Sequence, residues 1–230
     1  MEKLIFRFNN QNSKKTFKSK EILGGKGANL AQMAQMGLPV PPGFTISTKV
    51  CEYFFKNNKK IPKKVVQQTK SEIKTIEKIS KKKFGDLSNP LLVSVRSGSR
   101  VSMPGMMDTV LNLGLNDKTV IALKKKTSNG RFAKDSYRRF IQMYSNVVLG
   151  IEMHFFEELI ENYKLTKGVI QDTELDENDW NGLIQNFKDI VKEKTKKNFP
   201  QNVNEQLWGA VNAVFLSWNS KRARTYRKIN

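Results

Sequence analysis

The stretch Asn89–Leu115 reads NPLLVSVRSGSRVSMPGMMDTVLNLGL, and the rest of the chain is best interpreted from it. Its apolar, partly β-branched start predicts a buried strand that ends at Arg96. Small polar residues follow from Ser97 to Ser99, and an acid, Asp108, lies further along. An arginine at a strand exit suits a phosphate, because its planar fork can hold two oxygens while loop N–H groups point at an anion. The alternative is a structural arginine that caps carbonyl groups beside an ordinary loop.

The composition is that of a globular protein. With 230 residues, 38% of them hydrophobic, the chain is long enough for one large domain or two small ones. The single cysteine, Cys51, excludes an internal disulfide and favours a reducing compartment, so we expect a cytoplasmic protein. We predict neither a signal peptide nor a membrane-spanning segment.

The formal net charge of +20 invites an interpretation as a nucleic-acid-binding protein. However, the excess is mostly lysine and is spread along predicted helices, as in Lys81–Lys83, Lys124–Lys126 and Lys192–Lys197. No zinc-finger spacing, RNP motif or helix-turn-helix accompanies it. We therefore predict no specific nucleic-acid binding, and only weak, non-specific attraction to polyanions.

A second motif, EILGGKGANLAQMAQMGLPVPPGF, covers residues 21–44. Gly24, Gly25 and Gly27 surround Lys26 and precede apolar residues at helical spacing, so the glycines are predicted at a helix N-terminus. Unpaired N–H groups and the helix dipole favour an anion there, and Lys26 adds a mobile charge. The spacing is not that of a Walker A loop. The alternative is a tight turn that starts a packed helix.

The order of elements predicts an α+β fold. Strands are expected near Lys3–Phe8, Phe44–Ile46 and Leu91–Arg96, with a polar loop or hairpin over Asn9–Lys20. From residue 116 helical periodicity dominates. We predict a first lobe over residues 1–115, a mainly helical segment over 116–200, and the start of a truncated remainder over 201–230.

Three details of the helical part are predicted individually. Gly130 is expected to close the first helix, which Asn116 or Asp117 would cap. A last helix is expected from residue 203 to 228. His154, the only histidine, lies beside two phenylalanines and is interpreted as a packing residue rather than a catalytic one.

Two long motifs together resemble the N-terminal nucleotide-binding domain of the pyruvate, phosphate dikinases. They are GGKGANLAQMAQMGLPVPPGFTIST and LLVSVRSGSRVSMPGMMDTVLNLGL, and the ending LWGAVNAVFLSWNSKRARTYRKIN is similar to the same family further along. The related phosphoenolpyruvate synthases share the architecture but continue differently after the strand arginine, so they rank second.

The resemblance implies an ATP-grasp-like fold, in which two α+β lobes hold ATP between them. It implies an enzyme that converts ATP, phosphate and pyruvate into AMP, diphosphate and phosphoenolpyruvate with magnesium, through a phosphohistidine on a separate domain. A homodimer is considered for the parent enzyme. By the match of motifs, Lys26 and Arg96 are implied to bind nucleotide phosphates, and the remaining candidate nucleotide-binding residues are Gly25, Ser97, Asp108 and Thr109.

The departures from the family pattern matter equally. The chain is expected to hold an incomplete second lobe, to lack most magnesium ligands, and to contain no catalytic or metal-binding residue of its own. His154 does not lie in the family's phosphohistidine motif, and Arg100 stands where a small residue is expected, so it could disturb the loop or add a phosphate contact. Two hypotheses remain: the ATP-binding part of a dikinase, inactive alone, or a non-catalytic remnant that acts as a binding module.

Overall fold

The computed structural model describes residues 3–8, 20–99, 103 and 105–229. Within these residues the chain is α+β and rich in helix, with short strands. The elements in chain order are β1 (Ile5–Arg7), α1 (Lys20–Gln35), β2 (Phe44–Ile46), α2 (Thr48–Lys56), α3 (Lys63–Ser80), β3 (Lys83–Phe84), β4 (Pro90–Leu91), β5 (Val93–Arg96), β6 (Thr109–Leu113), α4 (Thr119–Thr127), α5 (Gly130–Val147), α6 (His154–Lys167), a 3₁₀ turn (Asp172–Glu174), α7 (Glu177–Thr195), α8 (Val203–Ser217) and α9 (Lys221–Ile229). None of the helices among these residues is long and apolar enough to cross a bilayer.

The chain divides into two compact units. Unit 1 consists of Met1–Lys81, Arg96–Asp108 and Val214–Asn230, and unit 2 consists of Lys82–Val95 and Thr109–Ala213. Both units are therefore built from segments far apart in sequence. The prediction divided the chain into three consecutive segments at residues 115 and 200, whereas these two units are made of interleaved segments. The predicted division stays a prediction.

Unit 1 is built around the antiparallel pair β1–β2, in which Ile5 lies opposite Ile46. Its small core cluster contains Ile5 of β1, Val50 of α2 and Val65 of α3, all buried. Arg7 fixes α3 to β1, because its Nε donates to the Glu72 carboxylate over 2.7 Å. This ion pair raises the pKa of Arg7, mainly through the hydrogen bond to Glu72.

Unit 2 has a larger core, formed mostly by the helices α4 to α7. Trp180 and Phe187 on α7 are fully buried, as are Phe140 and Tyr144 on α5. Aromatic edges interlock there: the rings of Phe156 and Phe187 lie 4.9 Å apart. The hydrophobic periodicity of α5 and α7 thus forms the apolar faces that the sequence indicated.

The predicted strands are confirmed, and helices predominate after residue 116. β2 spans the same residues as predicted, and the expected strand at Leu91–Arg96 is present as β4 and β5, interrupted at Leu92. The strands form two-stranded sheets, β1–β2, β3–β4 and β5–β6. The predicted loop over Asn9–Lys20 lies, except for Lys20, outside the described residues.

Two details of the helical part differ from the prediction, and a third agrees with it in part. Gly130 begins α5 instead of closing α4, because Ser128 takes the left-handed conformation (φ 52°) and Asn129 caps α5 by accepting from Phe132 N–H. The expected helix from residue 203 to 228 is interrupted after Ser217. His154 packs against Phe155 as predicted, with the ring centroids 4.0 Å apart, but this contact lies at the surface.

Candidate functional site

The glycine-rich turn of unit 1 breaks α1 at Gly24. Gly24 has φ 68° and ψ 167°, which no helix contains, and the helix resumes with Gly25, Lys26 and Gly27 in its first turn. A side chain at position 24 would be strained, since left-handed backbone disfavours a Cβ. The predicted position of the glycines at a helix N-terminus is therefore confirmed.

The same turn lies directly against the loop that follows Arg96. The N–H of Gly25 donates to the carbonyl oxygen of Ser99 over 2.7 Å. A Cβ added to Gly24 would lie 1.7 Å from the carbonyl oxygen of Gly98, so the two backbones approach more closely than any side chain allows. The two motifs, about 70 residues apart in sequence, thus meet through their backbones.

Residues next to this contact, on both motifs, are packed against the rest of unit 1. Gly27 of α1 packs against β2, and a Cβ added to it would come within 2.6 Å of Thr45 Oγ1. Ser97 is buried, with 6% of its surface exposed. The backbone geometry of the junction therefore depends on packing within unit 1 rather than on loop residues alone.

The two predicted phosphate ligands flank this junction. Lys26 follows Gly25, and Arg96 ends β5 immediately before Ser97. Both side chains are exposed, and neither has a hydrogen-bond or ion-pair partner within the described part of the chain. Because no carboxylate neutralises them there, both cations are available to an anion.

The two remaining candidates have different surroundings. Asp108 pairs with Arg222 of α9, and its backbone N–H donates to Ser217 Oγ over 3.3 Å. Arg222 also donates from Nε to the Met106 carbonyl over 3.1 Å. Asp108 is thus an anchor of the 106–108 loop in the structure, while Thr109 begins β6 and is half-buried.

Lys26 lies on α1, whereas Arg96 ends β5, which pairs with β6. Loops rather than neighbouring strands bring the motifs together. Arg100, for which a phosphate contact was considered, lies outside the described residues.

Chemistry beyond anion binding finds little support in the side chains that the structure describes. They include no group of three or more His, Cys, Asp or Glu side chains that could hold a metal ion. The Cys51 thiol is held protonated, because burial and then the nearby Glu52 raise its pKa to about 11. The arrangement can bind and orient an anion through two cations and a tight backbone turn.

Sequence reasoning missed the contribution of α9. Arg222 lies 114 residues from Asp108, and nothing local to either residue indicates the pair. The only signal was the basic character of the KRARTYRK segment, which the sequence analysis treated as part of the general charge.

Comparison with known proteins identifies the family of the chain. A family model described as "Pyruvate phosphate dikinase, AMP/ATP-binding domain" matches residues 20–83 and 59–230. The chain belongs to this family of nucleotide-binding domains.

Individual relatives carry the name of one enzyme. The chain is 48% identical over 230 residues to a pyruvate, phosphate dikinase of Rhizobium meliloti and 48% identical over 231 residues to one of Clostridium symbiosum, with 100% of the chain covered in both cases. It is 51% identical over 210 residues, 91% of the chain, to that of Entamoeba histolytica. The chain spans 26%, 26% and 24% of the lengths of these three relatives.

Proposed function

We propose that the junction of the glycine turn and the Arg96–Ser99 loop binds the phosphates of ATP. One observation carries this proposal: Lys26 and Arg96, which have no hydrogen-bond or ion-pair partner among the described residues, flank a point where two glycine-containing backbones touch. The absence of a Cβ at Gly24 lets the two loops touch, and this contact brings the segments that carry Lys26 and Arg96 together. Membership of an AMP/ATP-binding family supports the nucleotide as the source of that phosphate.

The proposed roles follow from the chemistry of each group. Arg96 offers a planar fork to two phosphate oxygens, and Lys26 offers a mobile point charge beside the helix N-terminus. Gly25, through its N–H bond to the Ser99 carbonyl, and the buried Ser97 would shape the loop on which the phosphates rest. Asp108 and Thr109, which complete the proposed site, would act through the loop that Arg222 anchors.

The complete enzyme is proposed to be a pyruvate, phosphate dikinase with an ATP-grasp-like nucleotide domain. Its reaction would convert ATP, phosphate and pyruvate into AMP, diphosphate and phosphoenolpyruvate. Phosphoryl transfer requires mostly positioning and charge stabilisation, which is what Lys26 and Arg96 can supply. A phosphohistidine domain, a homodimeric assembly and a cytoplasmic location remain parts of this proposal, as does the division at residues 115 and 200.

Magnesium, which the family implies, does not fit the side chains described around the junction. Asp108 is the one acid among the candidate residues, and Arg222 already neutralises it. Magnesium prefers oxygen ligands from one or two carboxylates plus substrate phosphates. We therefore assign no metal ligand in this chain and no step through the metal.

The chain by itself is expected not to catalyse the overall reaction. Its one histidine, His154, does not lie in the phosphohistidine motif that the family resemblance implies. Purified chain should form no AMP and phosphoenolpyruvate above a Lys26→Ala/Arg96→Ala control. Turnover above that control would contradict this expectation.

The site itself can be mapped by NMR. On titration of the 230-residue chain with ATP, the backbone amides of Gly25–Gly27 and Ser97–Ser99 should shift together and saturate with one affinity. Shifts elsewhere without these two segments would overturn the proposed site. The relatives named above are dikinases, and no observation favours a phosphoenolpyruvate synthase or a non-catalytic module over them.

A further inference from the structure

The positive charge is divided very unequally between the two units. Unit 1 contains 24 of the 41 Lys and Arg residues but only 6 of the 21 Asp and Glu residues, whereas unit 2 contains 17 and 15. The formal net charge is therefore +18 in unit 1 and +2 in unit 2. The spread of lysines along helices, noted from the sequence, thus hides a strong difference in charge between the two units.

Four lysines of unit 1 form a straight stripe on α3. Lys63, Lys70, Lys74 and Lys78 are separated by seven, four and four residues, close to whole helical turns, so they share one face over about 22 Å. All four side chains are exposed. None of the four has a hydrogen-bond or ion-pair partner among the described residues.

The opposite face of α3 is the one that packs. Val65, Thr69 and Ile76 are buried there, and Glu72 pairs with Arg7 on β1. The lysine stripe therefore contributes nothing to the core of unit 1. Like charges four residues apart, as at positions 70, 74 and 78, also destabilise the helix that carries them. Such a stripe is costly unless an anion neutralises it.

The surface between the lysines is entirely polar. Gln67 and Ser71, which lie on the same side of the helix, are exposed hydrogen-bond donors, and the one acid at the edge of this face, Glu77, is half-buried and already has an interaction. The stripe offers no aromatic side chain on which a base could stack, and no apolar side chain that could enter a membrane or anchor a peptide. Its chemistry matches a linear array of phosphates read without base contacts.

We propose that the lysine stripe of α3 binds the phosphate backbone of double-stranded nucleic acid without sequence preference. The stripe consists of lysines, which act as point charges, and it contains no arginine whose guanidinium group could recognise a base edge. This binding is separate from the proposed nucleotide site, because none of the four lysines belongs to the junction around Gly25. It is independent of the dikinase proposal and stands or falls without it.

The test measures binding of the 230-residue chain to a fluorescent duplex of about 20 base pairs by anisotropy, between about 50 and 200 mM salt. The variant Lys63→Gln/Lys70→Gln/Lys74→Gln/Lys78→Gln removes four charges. With about 0.9 counterions released per phosphate contact, it should flatten the slope of log K against log salt by about 3.6. The four contacts thus account for an about 150-fold affinity change over that salt range. Lys70→Gln/Lys74→Gln should flatten the slope by about 1.8, half as much as the quadruple variant.

The matched control removes four exposed lysines of unit 2, as Lys118→Gln/Lys125→Gln/Lys192→Gln/Lys197→Gln. Its net charge equals that of the stripe variant, and its slope should stay close to that of the unmodified chain. Equal slopes for the two quadruple variants would overturn the proposal, because the attraction would then belong to the overall charge. Competition by polyglutamate as effective as that of the duplex, at equal charge concentration, would also overturn it in favour of an acidic protein partner.

Discussion

Gly24→Ala perturbs the junction at its closest point. An alanine at φ 68° costs about 1–2 kcal/mol in backbone strain. Its Cβ would start 1.7 Å from the Gly98 carbonyl oxygen, so the two backbones must separate and the hydrogen bond from Gly25 to Ser99 is lost. That bond contributes about 1 kcal/mol. We therefore expect the free energy of unfolding to fall by about 2–3 kcal/mol.

The same substitution should weaken ATP binding. Loss of one charge-assisted contact, worth about 1.5–3 kcal/mol, corresponds to a loss of ATP affinity of about tenfold or more. Urea denaturation measures the stability, and NMR titration measures the ATP affinity.

Gly37→Ala is the matched control. Gly37 has a similar φ of 79°, but a Cβ there meets no atom within 4 Å. It should therefore cost only the strain, about 1–2 kcal/mol, and leave ATP binding unchanged. If the two alanines reduce stability and ATP affinity equally, backbone strain explains everything and the close approach has no role.

Three further predictions concern other parts of the chain. Gln206→Leu should lower the free energy of unfolding, measured by urea denaturation, by about 2–4 kcal/mol. The buried Gln206 amide accepts from Gly114 N–H over 3.1 Å and donates to the Leu115 and Pro200 carbonyls. A loss no larger than that caused by a Gln→Leu substitution at an exposed position would contradict this. Asp86 has its pKa lowered to about 2, first by the Ser88 hydroxyl and then by backbone N–H groups. The stabilisation by the Asp86 carboxylate is thus present above about pH 4 and is lost as the pH falls towards 2. Asp86→Asn should therefore reduce the pH dependence of the urea denaturation midpoint between about pH 4 and 2, and an unchanged pH dependence would refute this prediction. Cys51, with its pKa raised to about 11 by burial, should react with iodoacetamide at a rate that still rises through pH 10, whereas a plateau near pH 9 would exclude the raised value.

Local patterns explain how much of the fold could be predicted. β2 and the glycine-started helix follow from short-range signals, namely β-branched residues after a proline turn and apolar residues at helical spacing. The error at Gly130 has a local cause as well. Ser128 and Gly130 are both able to end a helix, and the choice depends on Asn129, whose side chain caps the next helix.

The candidate site was only partly visible in the sequence. Each of the two loops by itself predicted an anion-binding site. The hydrogen bond between Gly25 and Ser99, however, joins residues that only the tertiary fold brings together. The pair of Arg222 and Asp108 is equally non-local. The stripe on α3 was readable from the spacing of its lysines, yet its significance depended on how few acids unit 1 contains.

The central claim is that Arg96 and Lys26 bind ATP phosphates as specific ligands rather than as part of a basic surface. Calorimetric or NMR titration of ATP at moderate salt tests it with matched variants: Arg96→Ala against Arg224→Ala, an exposed arginine with no side-chain partner among the described residues, and Lys26→Ala against Lys82→Ala. Each charge-assisted contact is worth about 1.5–3 kcal/mol when partly shielded from water, so Arg96→Ala and Lys26→Ala should each weaken ATP binding by about 10-fold or more. The two controls should leave the affinity nearly unchanged. If all four variants weaken ATP binding equally, and binding disappears as salt rises, the general charge attracts ATP and the assigned site is wrong.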